Sequence, residues 1–238
     1  MVKIVTVIFV GSLTLALCVW VALLSSGNAE ESPVATAKHE TTYGSWRSSK
    51  LGGGGYLGRV VPVPSKPGRL YTYIDVAGCF RSDDDGRTWQ MLHGSLPGRL
   101  GNYCVRDLNV HPDNPDSLII AVGTQWAEPE GIYRSTDGGR SWEPVLRARF
   151  YGNEDWRWAG LVLARDPRDP NLIYAASAGD GVWRSTDDGQ TWEKLGLEGV
   201  YPTDFRVDPH NPQRLWLNAA PFAPFGGKPL LGGFYRSE

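Results

Sequence analysis

The sequence predicts an all-β protein, a β-propeller of four-stranded antiparallel blades with about three and a half blades present, an incomplete ring. Three observations predict it. The octapeptides Ser82-Asp-Asp-Asp-Gly-Arg-Thr-Trp89, Ser135-Thr-Asp-Gly-Gly-Arg-Ser-Trp142 and Ser185-Thr-Asp-Asp-Gly-Gln-Thr-Trp192 share the pattern S-x-D-x-G-x-[ST]-W. A Pro-x-x-Pro turn recurs between them, at Pro64–Pro67, Pro112–Pro115, Pro167–Pro170 and Pro209–Pro212, each time ahead of an apolar run. Gly 29 and Pro 17 favour many turns over long helices.

An aromatic residue and an arginine precede each octapeptide: Phe80-Arg81, Tyr133-Arg134 and Trp183-Arg184. A fourth copy opens at Phe234-Tyr235-Arg236-Ser237, which spaces the serines 53, 50 and 52 residues apart. Two independent markers at one period identify a repeat array. In the third unit the strands are expected at Gly160–Ala164, Leu172–Ala176, Gly181–Ser185 and Thr191–Leu195. The second strand is apolar without alternation, as a strand covered on both faces must be. Stacked four-stranded units of about this length, covering both faces of their inner strands, describe propeller blades.

The octapeptide has a mechanical reading. Gly86, Gly139 and Gly189 supply the positive φ of the hairpin between the last two strands. Asp84, Asp137 and Asp187 accept bonds from nearby backbone N–H groups, and the Ser and Thr hydroxyls add local ones. Trp89, Trp142 and Trp192 then pack over the turn and between blades. Catalysis by these aspartates is the poorer reading, because a group repeated on every blade does not converge on one substrate.

The ends and the charge bound the function. Lys3, an apolar run from Ile4 to Leu24 and the small residues Gly27-Asn28-Ala29 read as an export signal over 1–29, or as an uncleaved membrane anchor. Residues 30–50 read as a linker and 51–238 as the propeller, with the repeat expected to continue beyond Glu238. An exported location follows: secreted, periplasmic or cell surface. With 24 Lys plus Arg against 26 Asp plus Glu there is no basic footprint for nucleic acid. Without the leader, Cys79 and Cys104 remain, either as a disulfide or as two buried thiols. No CxxC spacing and no His/Cys cluster occurs, so neither a metal nor a cofactor is expected.

These octapeptides resemble the Asp-boxes, or BNR repeats, of secreted propellers, a group that includes sialidases, sortilin-like receptors, a photosystem assembly factor and family 74 glycoside hydrolases. The motif implies an architecture, not an activity. Gly52-Gly-Gly-Gly-Tyr-Leu-Gly-Arg-Val-Val61, Pro67-Gly-Arg-Leu-Tyr71 and Ile74-Asp-Val-Ala-Gly-Cys-Phe-Arg81 resemble the opening of the family 74 xyloglucanases. That resemblance implies an inverting endo-β-glucanase in which Asp75 stands where the family has a catalytic carboxylate, the general base. Ile74 and Ala77 depart from the family's threonine and glycine. The family's second carboxylate comes from another propeller, and it has no counterpart here.

Propeller topology sends the Asp-box and Pro-x-x-Pro turns to one face and the remaining loops to the other. That loop face is expected to carry Asp75, Asn102, Tyr103, Trp126, Tyr151, Trp156 and Trp158, an aromatic platform for the flat C–H faces of a polysaccharide or glycan. Asp75 also reads as a plain turn former, and the tryptophans as packing between blades. Glu128 and Glu130 read as solvated loop residues. A non-catalytic propeller binding a protein or glycan is the alternative function. No arginine triad of the sialidase kind is marked by motif.

Overall fold

The computed structural model describes residues 47–237 apart from 53, 93–95, 97–102 and 158, with the backbone alone at 127–130. The predicted export segment and most of the predicted linker lie outside the described residues. Among those described, no helix is long and apolar enough to cross a membrane.

Four antiparallel sheets follow one another along the chain. Blade 1 holds β1 (Leu57–Pro62), β2 (Leu70–Ile74), β3 (Gly78–Ser82) and β4 (Gln90–Met91). Blade 2 holds β5 (Val105–Val110), β6 (Leu118–Thr124), β7 (Ala127–Ser135) and β8 (Glu143–Leu146). Blade 3 holds β9 (Leu163–Arg165), β10 (Ile173–Ser177), β11 (Gly181–Ser185) and β12 (Glu193–Gly196). Blade 4 holds β13 (Tyr201–Val207), β14 (Leu215–Ala220) and β15 (Gly233–Arg236). In every sheet spatial order equals chain order, as expected when each strand pairs with the next through a short turn. The described sheets form an open series, with β1 and β2 against β5, β5 against β9, and β9 and β10 against β13.

The third unit shows where periodicity misplaces ends. β11 falls where expected, but β9 begins at Leu163 instead of Gly160 and β12 at Glu193 instead of Thr191. Backbone N–H groups at the missing start are taken by side chains: Asp204 Oδ1 accepts from Leu161 N, and Asp107 Oδ2 from Val162 N and Leu163 N, at 3.0, 2.9 and 2.9 Å. In blade 2, Thr124 pairs with Ala127, so only Gln125 and Trp126 form the turn. The segment carrying Glu128 and Glu130 is thus strand, not loop.

The core lies between blades. Tyr71, Tyr73 and Cys79 of blade 1 pack on Leu108, Leu118, Ile120 and Trp142 of blade 2. Ile119, Ala121 and Ile132 of blade 2 pack on Leu163, Ile173 and Ala175 of blade 3, joined by Trp192. Tyr174, Ala176 and Val182 of blade 3 pack on Phe205, Leu215 and Leu217 of blade 4. Because β6 and β10 serve a cluster on each side, they are buried along their whole length. That accounts for their unbroken apolar sequence.

Each Asp-box folds in one way. Ser82, Ser135 and Ser185 accept from the N–H of Gly86, Gly139 and Gly189 at 2.9, 2.9 and 2.8 Å. Asp84, Asp137 and Asp187 accept both the N–H and the hydroxyl of Thr88, Ser141 and Thr191. The three glycines take φ of 79°, 86° and 80°, in the left-handed region that disfavours other residues. Trp142 Nε1 donates to Leu92 O of the preceding blade at 2.8 Å, and Trp192 Nε1 to Gly189 O at 3.1 Å. For Trp89 the acceptor is Ser49 Oγ at 2.8 Å, which docks the end of the predicted linker on the first box. Box turns and Pro-x-x-Pro turns share one face: Asp85, Gly138 and Asp188 N–H donate to Gly68, Asp116 and Asn171 O at 3.0, 2.9 and 3.0 Å.

Candidate functional site on the loop face

At the opposite face, three blades converge on the loop from Phe150 to Gly160. Asp75 follows β2 directly and is only 5% exposed. Its Oδ1 accepts from Tyr56 N at 2.8 Å, and its Oδ2 from Arg157 Nε at 2.7 Å. The glycine run has a local cause here. A Cβ on Gly55 would stand 2.6 Å from Asp75 Oδ1, and Gly55 adopts φ +124°. Only glycine lets the chain pass so close to the carboxylate.

Glu154 occupies the same loop, 4% exposed. Its Oε1 accepts from Thr124 Oγ1 and from Gln125 N, at 2.5 and 2.7 Å, which ties the loop to the β6–β7 turn. Burial raises its pKa against the opposing pull of the Thr124 hydroxyl, two backbone N–H groups and the Arg157 charge. Arg157 Nη1 also donates to Glu154 O at 3.2 Å. One guanidinium therefore joins the Asp75 carboxylate to the backbone of Glu154. The Cys104 thiol lies in the field of both carboxylates; burial first, then Glu154 and Asp75, push it up to about 12. Burial disfavours its thiolate, and Cys79 and Cys104 are both buried thiols with no disulfide between them.

The aromatic candidates divide by exposure. Trp126, at the tip of the two-residue turn, is 62% exposed, and Trp156 is 42% exposed. Phe225, from the loop after β14, lies 5.2 Å from Trp126 between ring centroids and is 78% exposed. Phe225 N donates to Gln125 Oε1 at 2.6 Å, which holds the two rings together. Tyr151 is different: 4% exposed, it packs with Tyr201 and Phe222, so its ring stabilises the loop from beneath. Tyr201 OH in turn donates to Asp155 O at 2.7 Å. Tyr103 is half-buried. Asn102 and Trp158 lie outside the described residues.

The geometry thus brings Asp75 to the loop that carries Trp156, and it adds three residues that no motif marks: Glu154, Arg157 and Phe225. Nothing in local sequence distinguishes Glu154 from a solvated acid; only the docking of its loop buries it. Among the described residues no group of three or more His, Cys, Asp or Glu side chains is placed to hold a metal ion.

Residues 133–144 and 183–194, the second and third boxes with their flanks, match the BNR/Asp-box repeat family. A xyloglucanase of Acetivibrio thermocellus is 34% identical over 129 residues, 52% of this chain and 15% of that protein. A xyloglucanase of Hypocrea jecorina is 33% identical over 138 residues, 55% of this chain and 16% of that one. The chain is homologous to the family 74 xyloglucanases. In three dimensions the family 74 xyloglucanase of Xanthomonas campestris matches with a TM-score of 0.62 at 26% identity, over 74% of this chain and 29% of that one. The family 74 enzyme of Niastella koreensis shares the fold, with the same TM-score of 0.62 at 24% identity over 79% of this chain and 29% of that one. This chain spans about a sixth of the length of the curated xyloglucanases it matches. The homology covers part of their length and not the whole.

Proposed function

We propose that the chain is an exported carbohydrate-active propeller segment that binds a xyloglucan-type β-glucan across its loop face. Trp126, Phe225 and Trp156 stack on sugar rings, and Asp75 serves as general base in an inverting hydrolysis. The observation that carries this reading is the placement of Asp75. It is fixed by Tyr56 N–H and Arg157 on the loop face that also displays the exposed Trp126–Phe225 pair. Homology to xyloglucanases supports the substrate class. A carboxylate has about four acceptor positions, so two bonds leave capacity to orient a water. Inversion requires an acid roughly 6.5–9.5 Å away, across the glycosidic bond.

One observation favours binding without hydrolysis as the second reading. The Arg157 ion pair occupies the oxygen of Asp75 opposite the one held by Tyr56. A carboxylate so held is a positioning element for the loop as much as a base. Titrating xyloglucan and mixed-linkage β-glucan into wild type and Asp75→Ala, while assaying release of reducing ends, separates the two. Hydrolysis lost in the variant supports the base. Binding with no hydrolysis in either protein supports the second reading, and no binding by the folded wild type rejects both.

A further inference from the structure

The loop from Phe150 to Gly160 is held in a backbone that its residues disfavour. Tyr151 takes φ 48° and Trp156 φ 68°, in the left-handed region where bulky side chains are outliers. Such a conformation persists only where its surroundings over-determine it. Between the two stands Glu154, whose carboxylate takes three bonds. Its Oε1 accepts the Thr124 hydroxyl and Gln125 N, and its Oε2 accepts Asn153 N at 3.2 Å. Gly152 N donates to Gly123 O at 2.6 Å, a second tie of the loop to the end of β6.

Two limbs leave Glu154. Through its backbone carbonyl, which accepts from Arg157 Nη1, it reaches Asp75 of blade 1, because Arg157 Nε donates to Asp75 Oδ2. Through its carboxylate it reaches Gln125, whose own Oε1 accepts Phe225 N of blade 4 at 2.6 Å. Trp126, the next residue, meets the Phe225 ring at 5.2 Å between centroids. Four consecutive hydrogen bonds therefore run from Asp75 to Phe225, and the two limbs join at Glu154. The bonds of Thr124 and Gly152 fasten the loop itself; that of the Gln125 side chain extends the join to the aromatic pair.

We infer that Glu154 is a positioning residue: it fixes the Trp126–Phe225 pair relative to Asp75, so that a β-glucan stacked on the rings is presented to that carboxylate in one register. The inference rests on the glucan-binding reading of the loop face. Being buried, Glu154 acts through Gln125 and Arg157 and not by touching the glycan. Without its carboxylate the disfavoured backbone at Tyr151 and Trp156 relaxes, which carries Arg157 away from Asp75 and Gln125 away from Phe225. Glutamine in its place keeps an acceptor oxygen for Thr124 and Gln125, and so keeps both limbs.

The test uses the whole chain. Amide hydrogen exchange is read by NMR at Phe225 and Tyr56, the donors at the far ends of the two limbs, against the β10 amides as the measure of global opening. In Glu154→Ala both are expected to exchange about tenfold faster than β10 accounts for, and in Glu154→Gln at close to the wild-type rate. Calorimetry with a xyloglucan oligosaccharide is expected to show Glu154→Ala and Gln125→Ala each weakened about tenfold, although every ring and Asp75 are retained. Adding Trp126→Ala to Glu154→Ala is expected to cost under about twofold more, because the two act as one unit. Amides at Phe225 and Tyr56 that follow β10, or effects of Trp126→Ala and Glu154→Ala that multiply in full, overturn the inference and leave Glu154 a staple of its own loop. If Glu154→Ala does not fold, Gln125→Ala decides: affinity equal to wild type with both rings in place overturns the inference. Loosened amides with no glucan binding by wild type reject the glucan-binding reading alone, since the link between the limbs is then seen without a ligand.

Discussion

Arg134 Nε donates to the carbonyl oxygen of Asp188 at 2.8 Å, while its Nη2 meets the Asp188 carboxylate at 3.1 Å. One blade earlier Arg81 Nη1 donates to Gly138 O, also at 2.8 Å, and Gly138 occupies the same box position as Asp188. The arginines ahead of the first and second boxes thus clasp the turn of the next box. Ser117 and Arg165 complete the shell around the Asp188 carboxylate, the arginine at 2.8 Å. The repeat is therefore a lock between modules as well as a fold within one.

Removing one side of that lock leaves the other buried. Arg134→Ala is expected to destabilise the propeller by about 3 kcal/mol, the scale for breaking a buried pair by deleting one partner. Asp188→Ala is expected to cost as much, because it strands both Arg134 and Arg165. Arg184, which pairs with Glu193 on its own blade and is half-exposed, is expected to cost under about 1 kcal/mol when truncated. Urea denaturation of the three variants measures the difference; equal midpoints would refute the clasp.

The box aspartates set an acid limit on stability. The Thr88 hydroxyl and N–H hold Asp84 at about 2, with Ser82 adding to them. Burial works against the charge of Asp137, but Ser141 and Ser135 outweigh it and hold this carboxyl at about 2 as well. Asp187 is lowered too: burial opposes the shift, and the bonds from Thr191 and Ser185 overcome it. Each folded pKa lies below the unfolded value of about 3.9. The stabilisation is therefore complete above pH 4 and is lost as pH falls toward 2. The contribution of these aspartates to urea midpoints is expected to be flat from pH 7 to 5 and to drop steeply between 4 and 2. Replacing Asp137 with Ala is expected to lower the plateau and flatten that drop.

The scaffold was legible in sequence because it is written locally. A box needs a serine, an aspartate, a glycine and a hydroxyl within seven residues, so the pattern survives as a motif, and the second strands announce their burial by losing alternation. The loop face is assembled from Asp75, Thr124, Glu154 and Arg157, residues drawn from three separate stretches of the chain and periodic with nothing. Glu154 reads as an ordinary surface acid until its loop is docked, and Tyr151 reads as a platform until Tyr201 and Phe222 cover it. Asp75 was visible only through the resemblance to xyloglucanases; its arginine partner was not. The start of β9 escaped because side chains of Asp107 and Asp204 replace strand partners there, which no hydrophobic period records.

Glu154 is expected to show the opposite pH sign from the box aspartates. Burial raises its folded pKa above the unfolded value of about 4.3, so the fold favours the protonated acid. Its contribution is present at low pH and is lost as pH rises through the unfolded and then the folded pKa. Glu154→Gln keeps an acceptor for Thr124 and Gln125 and carries no charge, so its melting temperature relative to wild type is expected to rise between pH 4 and pH 7. Glu154→Ala is expected to cost about 1–3 kcal/mol at either pH, because the Thr124 hydroxyl and the N–H groups of Gln125 and Asn153 then lose their acceptor. A constant offset between Gln variant and wild type across this range would remove the burial argument.

Two tryptophans of one chain should respond in opposite ways to the same truncation. Trp142 is buried between blades with its indole N–H bonded to Leu92 O, so Trp142→Ala is expected to cost about 3–5 kcal/mol, as large core deletions do. Trp126 is 62% exposed and touches Phe225, so Trp126→Ala is expected to leave stability within about 0.5 kcal/mol. Its effect belongs to recognition: loss of a stacking ring at an otherwise intact face is expected to weaken binding of xyloglucan oligosaccharides about tenfold or more. The double variant with Phe225→Ala is expected to lose little beyond the single one, since the two rings form one surface and their effects are not additive. Affinity electrophoresis in xyloglucan gels, alongside thermal melts, reads both quantities on the same samples. Unchanged mobility shift in Trp126→Ala would move the glycan away from this pair and toward Trp156, 42% exposed on the same face.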